Sequence, residues 1–158
     1  MTTYPLDRPA LIRLPKARIS THVAIAAPPS AVWALIVDPA AHLLWNPNMR
    51  RMEGRLQEGE TFLMSLGAEG KRPMTFRPKV LSRREGHHVT WRGRLLMPGL
   101  FDGTHTLRVK PDGQGGSLFF NEESFSGLLL AVMGVEQFRP DFEAANAGLK
   151  RLAEGQAR

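Results

Sequence analysis

The last third of the chain changes period. Upstream, six runs carry strand-like patterning: Arg50–Gln57, Thr61–Leu66, Met74–Arg83, His88–Leu95, Thr104–Lys110 and Ser117–Phe125. Alternation of apolar and polar residues marks strands with one buried face. Downstream, Phe138, Phe142, Ala145, Leu149 and Leu152 are spaced to form one face of a helix. Turn chemistry at Glu58-Gly59, Gly67–Gly70, Glu85-Gly86 and Asp112-Gly113 to Gly116 separates most of the strands, which therefore read as an antiparallel meander. A sheet with one apolar face needs a cover, and the final helix is the only large amphipathic one available. The chain is thereby confined to the α+β class, with the last helix packed on the sheet.

The start of the chain adds three elements. Pro5, Pro9 and Pro15 predict an extended leader over residues 1–16, because proline fixes φ and donates no hydrogen bond. One domain is expected over residues 17–155. Arg18–Ala26 reads as a strand, with Ile19, Thr21, Val23 and Ile25 on one face. Pro28-Pro29-Ser30 opens a helix running to Val37, and Asp38-Pro39 opens a short second helix over Ala40–Leu44. In both, proline falls in the first turn, where its missing N–H costs nothing. Pro140 predicts a kink or a start in the terminal helix.

The strand phases assign the faces. Arg77, Lys79, Arg92, Arg94, Arg108 and Lys110 fall outward, which holds much of the net charge of +6. A nucleic-acid platform would interleave exposed aromatics with these cations. In these strands the aromatics take the opposite phase, so no nucleic-acid partner is expected. The inward set is Phe62, Met64, Met74, Phe76, Val89, Trp91, His105 and Leu107. The last strand is apolar in both phases at its start. The phase that points Phe125 inward also points Phe119, Asn121 and Glu123 inward. Burying His105, Asn121 and Glu123 unpaired would cost roughly 1–3 kcal/mol each. They must pair with one another, hold water or meet a ligand. An apolar cavity with a few convergent polar groups is the usual form of a small-molecule site.

Other chemistry finds little footing. With no cysteine, disulfides and thiolate catalysis are excluded. No nucleophile elbow is present, and Ser126 is expected to cap a helical turn after it. The five histidines are scattered, apart from His87-His88, whose side chains point to opposite faces of a strand. No metal and no cofactor is expected. No run of 18 apolar residues and no secretory signal is evident, so a cytoplasmic protein is expected.

Ala27-Pro28-Pro29-Ser30-Ala31-Val32-Trp33, Asp38-Pro39 with Trp45-Asn46-Pro47, Phe76-Arg77-Pro78, Trp91–Arg94, Pro98–His105, Glu123–Leu129 and Phe142–Asn146 follow in that order along the chain. Together they resemble the START-like (SRPBCC) superfamily, in its polyketide cyclase/dehydrase branch. The resemblance implies the helix-grip fold: a curved antiparallel sheet of about seven strands wrapped around a long C-terminal helix, with a deep apolar cavity between. It implies no catalytic residue set.

Two functions follow as expectations. The first is non-catalytic binding of a small hydrophobic or lipid-like ligand. Trp45, Phe62, Met64, Phe76, Trp91, Phe101, Phe119 and Phe138 would line the cavity, while His105, Asn121 and Glu123 would orient a polar head. The second is a cyclase or dehydratase acting on an aromatic or polyketide-like substrate, with His105, Glu123 and Asn121 as candidate catalytic residues in acid–base chemistry. Residues Met97–Gly103 are a candidate lid. Contact with a membrane is not expected, and a homodimer is an arrangement the sequence leaves open.

Overall fold

The computed structural model describes residues 13–95 and 97–156. Strand β1 (Lys16–Ile25) leads into helices α1 (Pro29–Val37) and α2 (Pro39–Trp45). Strands β2 (Met49–Glu53), β3 (Leu63–Leu66), β4 (Met74–Phe76), β5 (Lys79–Arg84), β6 (His88–Leu95), β7 (Phe101–Pro111) and β8 (Ser117–Ser126) follow. Two 3-10 turns, Leu128–Ala131 and Glu136–Phe138, precede helix α3 (Arg139–Gln156). The leader expected before the domain falls outside the described residues up to position 12.

The chain forms a five-stranded sheet in the order β1-β8-β7-β6-β5 and a three-stranded sheet in the order β2-β3-β4. Every pairing is antiparallel. The first strand closes against the last over its whole length, from Lys16 opposite Ser126 to Ile25 opposite Ser117. The two sheets meet at a seam, where Phe62 N donates to Pro78 O (3.1 Å) and Gly59 N donates to Val80 O (3.0 Å). This is the α+β helix-grip arrangement, with eight strands. The additional strand comes from the run Met74–Arg83, which divides at Arg77-Pro78. Pro78 has no N–H to continue a ladder, so β4 stays with β3 while β5 crosses to β6.

Local signals explain the helix starts. The Asp38 carboxylate accepts from Ala40 N at 2.9 Å, which satisfies one of the free donors at the start of α2. Pro140 sits in the first turn of α3 and introduces no kink. Ser126 does not cap the turn after it: Gly127, at φ 140°, forms the entry and no side chain caps it. The candidate lid is likewise corrected. Phe101–Gly103 belong to β7, and the turn before them is tied down by Leu128 N to Gly99 O (3.0 Å) and Leu129 N to Leu100 O (3.1 Å).

The main core joins Ile25, Val32, Ile36, Trp45, Val80, Val89, Leu107, Val109 and Phe119 to Ala145, Leu149 and Ala153 of α3. A second cluster joins Ile19, Phe125, Val135 and Phe142. The inward phase of β8 is the expected one: Phe119, Asn121 and Phe125 are buried. On the outer face, Arg108 and Lys110 lie over the Phe120 ring, and Glu122 bridges Arg18 and Arg108. Much of the basic row is thus engaged locally.

Helix α3 can approach α2 only because position 148 is glycine. A Cβ there would overlap the Trp45 carbonyl oxygen, a backbone atom that cannot swing aside. Alanine would raise helix propensity by about 1 kcal/mol. Gly148→Ala is nevertheless expected to destabilise the protein by about 1–3 kcal/mol through overpacking. A urea midpoint that rises in this variant would show that the two helices are not in contact at this point.

Candidate functional site

A cavity of about 610 Å³ lies between the inner faces of the sheets and α3. Its walls are mostly apolar: Trp45 from α2, Met49, Met64, Leu66 and Phe76 from the small sheet, Trp91 and Leu95 from β6, and Phe138 and Phe142 from the helical end. Two glycines keep its floor low. Gly93 and Gly103 face each other across β6 and β7, and both line the cavity. A Cβ at Gly93 would meet nothing within 4 Å, whereas one at Gly103 would collide with Glu123 Oε1. The Glu123 carboxylate therefore lies over Gly103, where a Cβ would displace it.

The polar groups converge on one point of this wall. His105 Nε2 lies 2.7 Å from Asn121 Oδ1, and His105 Nδ1 lies 3.2 Å from Glu123 Oε2. The imidazole is stacked between two rings, with centroids 5.0 Å from Trp91 and 5.3 Å from Phe142 and interplanar angles of 17° and 9°. Behind it, Asn121 Nδ2 donates to Asn146 Oδ1 (3.0 Å), and Asn146 Nδ2 donates to Thr21 Oγ1 (2.9 Å). Thr21 Oγ1 in turn donates to the Asn121 carbonyl oxygen (3.0 Å). These buried polar groups satisfy one another, as burial demands. The side chains of His105 and Glu123 keep 20% and 19% of their exposure although they point inward, so the cavity admits water at the polar end.

Two more charged groups stand at the rim. Arg94 lines the cavity rather than facing wholly outward, and its Nε lies 3.5 Å from Asp102 Oδ1. Asp102 Oδ2 accepts from Gly99 N at 3.1 Å. Asp141, in the first turn of α3, also borders the cavity.

Of the sequence-predicted lining residues, Trp45, Met64, Phe76, Trp91, Phe101, His105, Asn121, Glu123 and Phe138 stand on the cavity wall. Phe62 and Phe119 do not. Phe62 lies behind Trp91, edge-on at 5.5 Å, and Phe119 is fully buried in the main core. Both take the inward phase, but neighbours cover them. Met74 also takes the inward phase, yet it reaches the mouth and is half exposed. Sequence reasoning missed Asn146 and His42. Asn146 lies one position beyond Ala145 on the packed face of α3, a spacing that could have placed it against the sheet. His42 gave no signal.

His42 is buried beneath Trp45, its Nε2 is 2.7 Å from Ile36 O, and it borders the cavity. A carbonyl can only accept, so Nε2 carries the proton. Burial pushes the imidazole down from 6.5 to about 4, outweighing the hydrogen bond to Ile36. Among the described residues, no group of three or more His, Asp or Glu side chains is placed to hold a metal ion.

Comparison with known proteins places this geometry. A family model described as polyketide cyclase / dehydrase and lipid transport matches residues 16–154. A Chromobacterium violaceum protein superimposes with a TM-score of 0.71 at 21% identity, covering 87% of this chain and 96% of its own. Ginseng major latex-like protein 151 from Panax ginseng gives 0.72 at 12% identity, over 87% and 97%. Norcoclaurine synthase from Thalictrum flavum, in complex with dopamine and hydroxybenzaldehyde, gives 0.68 at 16% identity, over 96% of each chain. At these identities the likeness is one of fold. No curated protein matches the chain.

The depressed His42 value carries a sign. The unfolded chain binds a proton near pH 6.5 and the folded one only near 4, so folding loses stability as pH falls through that window. The loss amounts to about 3 kcal/mol. His42→Gln retains a donor for the Ile36 carbonyl but does not titrate. Denaturant midpoints measured from pH 7 to pH 4 are expected to fall less in this variant. Parallel curves would remove His42 as the cause.

Proposed function

The chain belongs to the polyketide cyclase / dehydrase and lipid transport family, and within it we propose that this protein binds a small hydrophobic ligand in the cavity between sheet and C-terminal helix. One observation carries the reading: a cavity of about 610 Å³ with mostly apolar walls and a polar cluster at His105, Asn121 and Glu123. Its volume lies within the ~300–1,000 Å³ range of small-molecule pockets. Affinity would come mainly from apolar burial, about 2.5 kcal/mol for each ~100 Å² of ligand surface removed from water. Trp45, Trp91, Phe76 and Phe138 would supply that contact, and His105, Asn121 and Glu123 would set the ligand's orientation. Among the described residues, no helix is long and apolar enough to cross a membrane.

A second reading rests on the same polar end. An imidazole 3.2 Å from a carboxylate on a cavity wall is suited to moving a proton on a bound substrate. The protein would then be a cyclase or dehydratase acting on an aromatic or polyketide-like compound. The two readings separate in His105→Ala and Glu123→Gln. Carrier function would leave these variants with altered affinity alone. Catalysis would be lost in them while binding largely persisted.

Native mass spectrometry of freshly purified protein is expected to show a co-purifying hydrophobic compound. Gly93→Leu projects a side chain into the open cavity without straining the strand. It is expected to fold normally and to weaken binding by about tenfold or more, about 1.4 kcal/mol. Ligand uptake unchanged in Gly93→Leu would place the binding site elsewhere.

A further inference from the structure

The buried amide chain behind His105 has a direction, and the direction follows from one backbone atom. Thr21 Oγ1 is 3.0 Å from the Asn121 carbonyl oxygen, which can only accept. The hydroxyl proton of Thr21 is therefore committed to that carbonyl. Its oxygen then has only lone pairs left for Asn146, 2.9 Å away, so Asn146 must present its NH2 group there. That turns Asn146 Oδ1 toward Asn121, 3.0 Å away, and obliges Asn121 to donate with Nδ2. Asn121 Oδ1 is then the atom facing His105 Nε2 at 2.7 Å. An amide oxygen accepts, so Nε2 must carry a proton.

We infer that Thr21, Asn146 and Asn121 lock His105 in the Nε2-protonated form, leaving Glu123 Oε1 as the open acceptor of this polar cluster, so that the polar end takes a ligand bearing a hydrogen-bond-donating hydroxyl. This rests on the hydrophobic-ligand reading and names the ligand's polar group. With Nε2 donating to Asn121, His105 Nδ1 is left facing the Glu123 carboxylate, 3.2 Å from Oε2, as a close charge contact rather than an aligned hydrogen bond. Nε2 is then engaged by Asn121, Nδ1 lies against the Glu123 carboxylate, and the ring stacks on Trp91 and Phe142. The Nε2–H of the imidazole is therefore already spent on Asn121 and is not offered to a ligand. In the usual histidine–carboxylate pair of a hydrolase, Nδ1–H points at the carboxylate and Nε2 is left free as the base. Here the far nitrogen is occupied, and the free site moves to the carboxylate. Glu123 Oε1 lies over Gly103 on the cavity wall and has no hydrogen-bond partner among the described residues. Thr21 and Asn146 reach the ligand only through others and are positioning residues.

Imidazole 15N spectra of the labelled protein test the lock without any ligand. His105 Nε2 is expected to be protonated in the parent protein. In Asn146→Leu, which leaves Asn121 free to turn, a population with bare Nε2 is expected to appear. Thr21→Val, close in volume, removes the hydroxyl that sets the direction and covers the case in which Asn146→Leu does not fold. An unprotonated Nε2 in the parent protein, or no tautomer change in either folded variant, would overturn the lock. The ligand class is read from quenching of tryptophan fluorescence with 2-naphthol and its methyl ether. Tighter binding of the naphthol by about tenfold, lost in Glu123→Leu, is expected. Equal binding of the two overturns the donor assignment. Binding of neither overturns the hydrophobic-ligand reading itself, and the donor assignment with it, while the tautomer result stands alone.

Discussion

The pairing of β1 with β8 is the contact on which the rest of the molecule depends. It joins segments about a hundred residues apart along ten consecutive positions, and it completes the large sheet on the side where α3 packs. It also sets Thr21 opposite Asn121. Without that register the hydroxyl could not reach the Asn121 carbonyl, and the amide chain behind His105 would have no fixed direction. Long-range antiparallel pairing of this kind costs loop-closure entropy before it returns anything. The apolar face it seals, from Ile19 and Ile25 to Phe119 and Phe125, supplies the compensating burial.

A hollow interior requires that some positions stay small while others approach closely. Gly148 lets α3 touch the end of α2 and so fixes how far the helix stands from the sheet. Gly93 and Gly103 withhold side chains from the strip of sheet opposite. Space that would otherwise be filled by interdigitating side chains stays open at one end, while Leu149, Val109 and Phe119 close the other solidly. The polar cluster sits where these two regimes meet, with its donors and acceptors matched on the core side and one carboxylate oxygen open on the cavity side.

Much of this was legible locally. The alternation in β6 and β7 assigned Trp91, His105 and Leu107 to the inner face, and the choice of Phe125 over Ser124 assigned Asn121 and Glu123 with them. Asp38-Pro39 marked the start of α2 by a cap that the structure contains. The run Met74–Arg83 reads as one strand but forms two, because alternation carries no information about which sheet a strand joins. Phe62 and Phe119 take the phase of the cavity wall but do not reach it, for a related reason. Phase says which way a side chain points, but whether another ring stands in front of it depends on the neighbouring strand.

The sequence by itself determined the succession of strand, short helices, antiparallel strands and long helix, the inward phase of the strands that carry the site, and the identity of the histidine, asparagine and glutamate that meet at the polar end. Those are consequences of period and residue type, which act over a few neighbouring positions. Tertiary structure alone decided that Asn146 and Thr21 stand behind Asn121, that His42 is sealed under Trp45, and that the centre stays open above Gly93. Each of these depends on distances between elements far apart in the chain, and such distances are set by packing and register rather than by any local preference.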